Sequence, residues 1–224
     1  MLKELKLNEN VYIFYLQNII SRAVNGSMVL EYKTGKESVQ EKHDEEVKYY
    51  YLYGAFNYLL NGLEVRDSKD ILYALPDLIK ILTGGEYDNY RNVEAIVVNS
   101  KVERTHPSQI RNSLYYLFDN YEKMWDGLDP FEKEARFHIE FLRIHPFGDG
   151  NGRIGRLITT YNFIRQDIAP PIVTSEYKKE YCGYIEERDY KGMTEFMKRL
   201  SKKEEQIIAV TKESNLLSKI NPIR

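Results

Sequence analysis

The 224-residue sequence has 32 lysine and arginine residues and 34 aspartate and glutamate residues, so its formal net charge is -2. A protein that binds a run of nucleic-acid phosphates normally carries a basic excess or a basic stripe, and this sequence has neither. With 42% hydrophobic and 29% charged residues, it is too apolar for a disordered chain and too charged for a membrane bundle. We therefore expect a soluble globular protein that binds neither nucleic acid nor membrane.

The sequence favours the cytoplasm as the compartment of this protein. The single cysteine, Cys182, cannot form an internal disulfide, which is typical of a reducing compartment. The apolar stretch 11–20 follows acidic residues, contains Gln17 and Asn18 and precedes no small-residue cleavage site, so we interpret it as an amphipathic helix. No linker or repeat divides the sequence, and we treat 1–224 as one domain.

The first half of the chain reads as helices. Residues 11–24 are followed by a break at 26–35 that contains glycine and lysine, and together they form an N-terminal arm over 1–40. Apolar residues recur with helical spacing over 41–60 and again over 70–82, where Gly84 and Gly85 give a stop signal. A short β-branched run at 93–98 and a second run at 102–105 flank a turn, which predicts a small β-hairpin.

Helical patterns fill the second half of the chain. Asp129, Pro130 and Glu132 give the cap acid, first-turn proline and third-position glutamate of a helix start. The other predicted helices cover 107–125, 153–165, 175–188 and 190–210. The predicted fold class is all-α, with seven or eight helices and one hairpin.

One glycine-rich segment carries the chemistry. Residues 145–156 read His-Pro-Phe-Gly-Asp-Gly-Asn-Gly-Arg-Ile-Gly-Arg. The three glycines at 148, 150 and 152 allow successive N–H groups to point at one anion, and the loop leads into a helix N-terminus, where partial positive charge accumulates. Arg153 and Arg156 share one face of the first turns of that helix. The segment therefore predicts a phosphate site.

Two side chains of this segment suggest what is done to the phosphates. The negative charge of Asp149 would repel phosphates unless a cation lay between them, and Mg²⁺ is the natural candidate. His145 stands at the mouth of the loop and is able to accept a proton near neutral pH, which points to transfer to a hydroxyl. Phe147 is predicted to anchor the loop in the core. We interpret His43, His106 and His138 as ordinary surface or core residues.

Two other phosphate motifs compete with this interpretation. Residues 150–155 match the dinucleotide fingerprint G-x-G-x-x-G, and Glu176 lies about 20 residues beyond, as that motif requires. The surrounding segments are helical where a parallel sheet would need repeated strands, so we rank this match low. A Walker-type loop would need a Lys-Ser or Lys-Thr pair after its glycines, and this sequence has none there. The residues alone do not separate AMP transfer from phosphoryl transfer.

Residues 145–156 resemble the motif of the Fic family, H-x-F-x-[D/E]-G-N-G-R-x-x-R, with every fixed position filled. The resemblance covers about residues 90–200 as a Fic core and implies a Fic-type helical bundle with a hairpin flap. It implies a Mg-dependent protein adenylyltransferase that transfers AMP from ATP to a Ser, Thr or Tyr hydroxyl of an unidentified target protein, with the chain itself as one candidate target. Gly152 favours AMP transfer, since Doc-like relatives that phosphorylate carry lysine there.

The resemblance also assigns roles to individual residues. His145 would deprotonate the target hydroxyl, and Asp149 would hold Mg²⁺. Five residues would bind the phosphates: Gly150, Asn151, Gly152, Arg153 and Arg156. Among them, Asn151 would support the α-phosphate, and the two arginines would hold the β- and γ-phosphates. Tyr181 would lie near the adenine, and Cys182 stands where the family often has a second tyrosine.

A second motif suggests a built-in inhibitor. Fic proteins often carry the pattern [S/T]-x-x-x-E-[G/N], and Ser27 and Glu31 fit it, with Tyr32 replacing the last residue. Glu31 would engage Arg156 and deny it to the γ-phosphate, in the class with an N-terminal inhibitory helix. Residues 21–26 and 201–206 match the pattern in part. The alternatives to an autoinhibited transferase are a nucleotide-binding regulator with little transfer activity and a de-AMPylase, and the 19 tyrosines leave a homodimer open.

Overall fold

The structure is a computed structural model that describes the backbone of residues 9–31, 39–95 and 102–220. Side chains at 9–14, 28–29, 31, 39–46 and 211–220 lie outside the described set. The described residues contain no β-strand and form eight α-helices, which confirms the all-α prediction. These are α1 (Glu9–Glu31), α2 (Val39–Asn57), α3 (Ser68–Leu82), α4 (Ile110–Lys123), α5 (Pro130–Ile144), α6 (Asn151–Arg165), α7 (Lys178–Glu187) and α8 (Tyr190–Ile220).

Helices α5 and α6 form the centre of the bundle. Helix α5 packs against α4, α6, α7 and α8, and α6 packs against α5 and α1. Helix α6 is buried on nearly every face, including its threonines and Asn162. A helix that is buried all round must lie inside the protein. The loop between α5 and α6 therefore starts and ends on the two most enclosed elements of the fold.

Local helix signals act at three boundaries, two of which the sequence predicts. The Asp67 carboxylate caps α3 by accepting from the Lys69 N–H at 2.8 Å. Gly84 and Gly85 end that helix with φ of 62° and 90°, which glycine adopts without a Cβ clash. Asp129 caps α5 by accepting from the Phe131 N–H at 3.0 Å. These contacts confirm the predicted stop after residue 82 and the predicted start at residue 130.

The predicted break at Gly26 is wrong, because α1 continues through this residue to Glu31. A Cβ at position 26 would lie 2.5 Å from the carbonyl oxygen of Val173, so only glycine lets the helix approach this backbone. Glycine inside a helix costs about 1 kcal/mol relative to alanine, which tertiary contact outweighs here. The glycine thus marks a close contact between α1 and the segment before α7.

Helix α1 is joined to α8 by a charged cluster. The Arg22 guanidinium forms a two-pronged ion pair with the carboxylate of Glu204, which is only 2% exposed. The Tyr15 hydroxyl donates to the same carboxylate at 3.4 Å. Because a buried carboxylate is stable only with such partners, α1 belongs to the folded core.

The predicted hairpin lies partly outside the described residues, at 96–101. Its described flanks, 93–95 and 102–105, have an irregular backbone. The hairpin therefore stays a prediction. Among the described residues, no helix is long and apolar enough to cross a membrane.

Candidate functional site

The motif segment is the connection between the two central helices. His145 follows α5 in the left-handed conformation, with φ of 53° and ψ of 61°, and its N–H donates to the Phe141 carbonyl at 3.1 Å. Gly150, with φ of 77°, precedes α6. A left-handed backbone is uncommon at a residue other than glycine and is found where the surroundings impose it, often at functional sites.

The loop is closed by one amide side chain. The Asn151 Oδ1 accepts from the Phe147 N–H at 2.9 Å, and its Nδ2 donates to the Phe147 carbonyl at 2.9 Å. Phe147 itself is fully buried and stacks on Tyr90 with ring centroids 5.6 Å apart. Both ends of the Asn151 amide thus hold the loop, so the predicted contact with an α-phosphate would have to use the second N–H of Nδ2.

The start of α6 is suited to an anion. The first helical hydrogen bond that involves the loop runs from the Ile154 N–H to the Gly150 carbonyl at 2.9 Å. The N–H groups at the start of a helix in general have no carbonyl partner within the helix. These groups and the helix dipole favour negative charge at this point. A Cβ at Gly150 would lie 2.8 Å from a Leu82 methyl, so glycine also keeps α3 close behind the loop.

Asp149 and Arg153 form an ion pair across the first turn of α6. The Arg153 Nη2 donates to Asp149 Oδ2 at 2.6 Å, and the side chains are 3% and 55% exposed, respectively. Among the described residues, no group of three His, Cys, Asp or Glu side chains could hold a metal ion. A half-exposed single carboxylate fits Mg²⁺, which keeps several waters and takes further oxygens from phosphates.

Arg156 is held by the N-terminal helix. Its Nε donates to the Ser27 Oγ at 2.8 Å, and its Nη2 donates to the Ser27 carbonyl at 3.3 Å. Ser27 is 3% exposed, so this contact lies inside the interface of α1 with α6. Glu31 is the last residue of α1, one helical turn further on, and its side chain lies outside the described set. The structure therefore brings Ser27, one of the two predicted inhibitory residues, to Arg156, whereas the contact predicted for Glu31 stays a prediction.

The imidazole of His145 is neutral at physiological pH. Burial lowers its pKa to about 4, and the nearby positive charges of Arg104 and Arg91 act in the same direction. The Asp149 carboxylate and a hydrogen bond to the Leu142 backbone oppose this shift. A neutral imidazole has a lone pair ready to accept a proton.

Tyr181 lies in a buried hydrogen-bonded chain. Its hydroxyl lies 2.6 Å from Nε2 of His138, whose Nδ1 lies 2.9 Å from the Thr159 hydroxyl. Burial lowers the pKa of His138 to about 3, so this histidine is a neutral, hydrogen-bonded core residue, as expected. Tyr181 lines a cavity of about 30 Å³ together with Ser27 and Arg156. Ligand pockets usually measure about 300–1,000 Å³, so an adenine does not fit beside Tyr181 in this arrangement.

Sequence reasoning missed Arg91. Its Nε donates to the His145 carbonyl at 2.7 Å, and its backbone N–H donates to the Pro146 carbonyl at 2.9 Å. Because the acceptors are backbone carbonyls, no pattern of acidic partner residues in the sequence could have revealed this arginine.

Comparisons with known proteins find similarity to the Fic/DOC family. Residues 67–163 match the sequence model of the Fic/DOC family. The protein adenylyltransferase fic-1 of Caenorhabditis briggsae is 31% identical over 79 residues, which are 35% of this chain and 16% of that protein. The chain thus spans about a sixth of the length of this relative.

Two solved structures are similar in fold. A Fic domain containing signaling protein from Bacteroides thetaiotaomicron has a TM-score of 0.71 at 18% identity, covering 94% of this chain and 92% of that one. A Fic-1 fragment from Caenorhabditis elegans has a TM-score of 0.66 at 19% identity, covering 92% and 64%. At these identities the likeness concerns the fold.

Proposed function

We propose that this chain, which belongs to the Fic/DOC family, is a protein adenylyltransferase that moves AMP from ATP to a hydroxyl of a protein. The observation that carries the proposal is the position of His145, a neutral imidazole at the entrance of a glycine loop that opens onto a helix N-terminus. Phosphate and hydroxyl chemistry would meet at this point. Relatives that are named protein adenylyltransferases support the same reaction.

His145 acts as the general base in the proposed mechanism. The target hydroxyl donates its proton to the imidazole while its oxygen attacks the α-phosphorus of ATP. The bond from the α-phosphorus to the bridging oxygen breaks, and pyrophosphate leaves. A base buried beside Arg104 is weak before ATP arrives, since burial and positive charge oppose protonation. The phosphates of ATP offset that charge and make proton transfer easier.

The start of α6 binds the phosphates. The N–H groups of residues 151–153 supply directed donors, and Arg153 and Arg156 supply positive charge on one helix face. Asp149 would hold Mg²⁺, which neutralises phosphate charge when it is bound. In the structure Arg153 already neutralises Asp149, so Arg153 and the cation would have to share this carboxylate.

Helix α1 acts as the inhibitor. Ser27 occupies two donors of Arg156, which the proposal assigns to the γ-phosphate. Glu31 would add a carboxylate at the same guanidinium, because it lies one turn further along the same helix. An arginine held in this way presents fewer donors to ATP, so the nucleotide binds weakly or in a pose unsuited to transfer.

ATP labelled at either the α- or the γ-phosphate tests the reaction. The variants are His145→Ala, Glu31→Gly and, as a matched histidine control, His106→Asn, since His106 is an exposed residue of the segment before α4. We expect α-label in protein for wild type or Glu31→Gly, none for His145→Ala, and unchanged labelling for His106→Asn. Labelling by γ-phosphate alone would identify a kinase and contradict the proposal.

Two other outcomes identify the alternative functions. ATP binding in calorimetry without transfer in any Glu31 variant would indicate a nucleotide-binding regulator. Release of AMP from a modified protein that is lost in Glu31→Gly would indicate a de-AMPylase, in which Glu31 orients water. Either result would replace the transferase as the main activity.

A further inference from the structure

Arg91 joins backbone groups from separate parts of the chain. Its side chain is buried at 7% exposure. The Nε donates to the His145 carbonyl at 2.7 Å, Nη1 donates to the Val93 carbonyl at 2.8 Å, and Nη2 donates to the Thr105 carbonyl. The Arg91 N–H donates to the Pro146 carbonyl at 2.9 Å. One residue therefore fixes the motif loop and both described flanks of 96–101.

The shape of guanidinium explains why an arginine is needed here. Its donors lie in one plane and point in several directions, so it can satisfy carbonyls that come from different segments. A lysine would bring the same charge as a single point and could not hold these acceptors in one plane. The cation also lies beside the last carbonyls of α5, where the helix dipole is negative and favours it.

The backbone of His145 needs outside support. Its left-handed conformation is unfavourable for a residue with a Cβ. Pro146 follows, and a residue before proline prefers an extended backbone. Two carbonyls in succession, those of His145 and Pro146, accept from Arg91. These bonds oppose relaxation of the loop into the extended form.

We propose that Arg91 is a positioning residue for the base: it holds His145 in the left-handed conformation and sets the carbonyls of Val93 and Thr105 at a fixed place beside it. The proposal rests on the proposed function, because it takes His145 to be the catalytic base. It concerns orientation, so loss of Arg91 should slow the transfer step more than it weakens ATP binding.

The test compares Arg91→Lys with Arg111→Lys in the Glu31→Gly background. Arg111 is a neighbouring arginine whose described contacts are the Asn89 side chain and the Tyr90 ring. We expect Arg91→Lys to lower kcat at least tenfold with the KM for ATP within twofold, and Arg111→Lys to match its parent. An unchanged kcat, or a fall in kcat that comes with an equal rise in KM, would overturn the proposal.

A second measurement separates this proposal from the proposed function. Hydrogen exchange, read by mass spectrometry, should become faster at residues 141–148 in Arg91→Lys while the other helices keep their protection. If no variant transfers AMP but this local change is seen, the transferase proposal fails and the positioning of the loop stands. Unchanged exchange at 141–148 overturns the role of Arg91 whatever the activity.

A measurement on the unaltered protein covers the case in which Arg91→Lys does not fold. In nitrogen-15 NMR spectra, the Nε–H of Arg91 should exchange with water more slowly than the Nε–H of exposed Arg111. Equal exchange of the two would mean that the Arg91 side chain is not held by the His145 carbonyl, and would refute the proposal.

Discussion

Replacement of Ser27 by alanine should raise the affinity for ATP. The change removes the acceptor of the 2.8 Å bond from Arg156 Nε and leaves the 3.3 Å bond from Nη2 to the Ser27 carbonyl. A hydrogen bond to a charged group contributes about 1.5–3 kcal/mol. Each 1.4 kcal/mol corresponds to a factor of ten, so release of Arg156 becomes roughly 10- to 100-fold easier. Because the bond from Nη2 to the Ser27 carbonyl remains, we expect an effect near tenfold, at the lower end of this range.

Calorimetry with a non-hydrolysable ATP analogue measures this effect. Ser21→Ala is the matched control, because Ser21 lies on the same helix and its contact among the described residues is a 3.4 Å bond from the Tyr49 hydroxyl. We expect Ser27→Ala to bind the analogue about tenfold more tightly, and Ser21→Ala to bind like wild type. An unchanged or weaker affinity of Ser27→Ala would mean that Ser27 prepares Arg156 for phosphate instead of competing for it.

Three further predictions concern Glu134, His145 and Gly148. Burial raises the pKa of Glu134 to about 7, so the folded state keeps a proton that the unfolded state loses near pH 4.5. The free energy of unfolding therefore falls as pH rises from about 4.5 through 7. Glu134→Gln should remove about 3 kcal/mol of this pH dependence, measured by urea titrations between pH 5 and 9. Binding of the ATP analogue should raise the pKa of His145 from its lowered value of about 4, because the phosphates stabilise the imidazolium. An NMR titration that shows no rise would mean that the phosphates bind elsewhere. Gly148→Ala would bring a Cβ to 2.6 Å from the Tyr87 ring, so it should slow AMP transfer, and addition of Tyr87→Ala should restore part of the rate if the clash is the cause.

The sequence predicts the helices well because their signals are local. Cap acids such as Asp129 and stop glycines such as Gly84 act on the residues next to them, and the structure shows these contacts. Gly26 misled the prediction because its reason lies in a segment almost 150 positions away. Spacing in the sequence cannot show that a helix passes this close to the Val173 carbonyl.

In the candidate site too, local features could be predicted from the sequence and tertiary contacts could not. The motif residues are consecutive, so their placement at a loop and a helix start follows from the glycines and the one proline among them. The contacts of Arg156 with Ser27 and of Arg91 with His145 are tertiary, and only the former had a motif to suggest it. The Asn151 amide shows a further limit, because a residue type suited to phosphate is used to close the loop.

The ion pair between Arg22 and Glu204 bears on how this protein could be switched on. Deleting α1 would remove the cation of Glu204 together with the buried Ile19 and Val24, and burial of each such aliphatic side chain contributes about 1.5–3 kcal/mol. That is a large share of the roughly 5–15 kcal/mol that holds most domains folded. A proteolytic cut or a shortened transcript would therefore yield a damaged protein before it yielded an active one. If α1 inhibits as we propose, activation has to act on the last turn of α1 while Arg22 stays in place, which leaves a patch of a few residues for an activator to recognise.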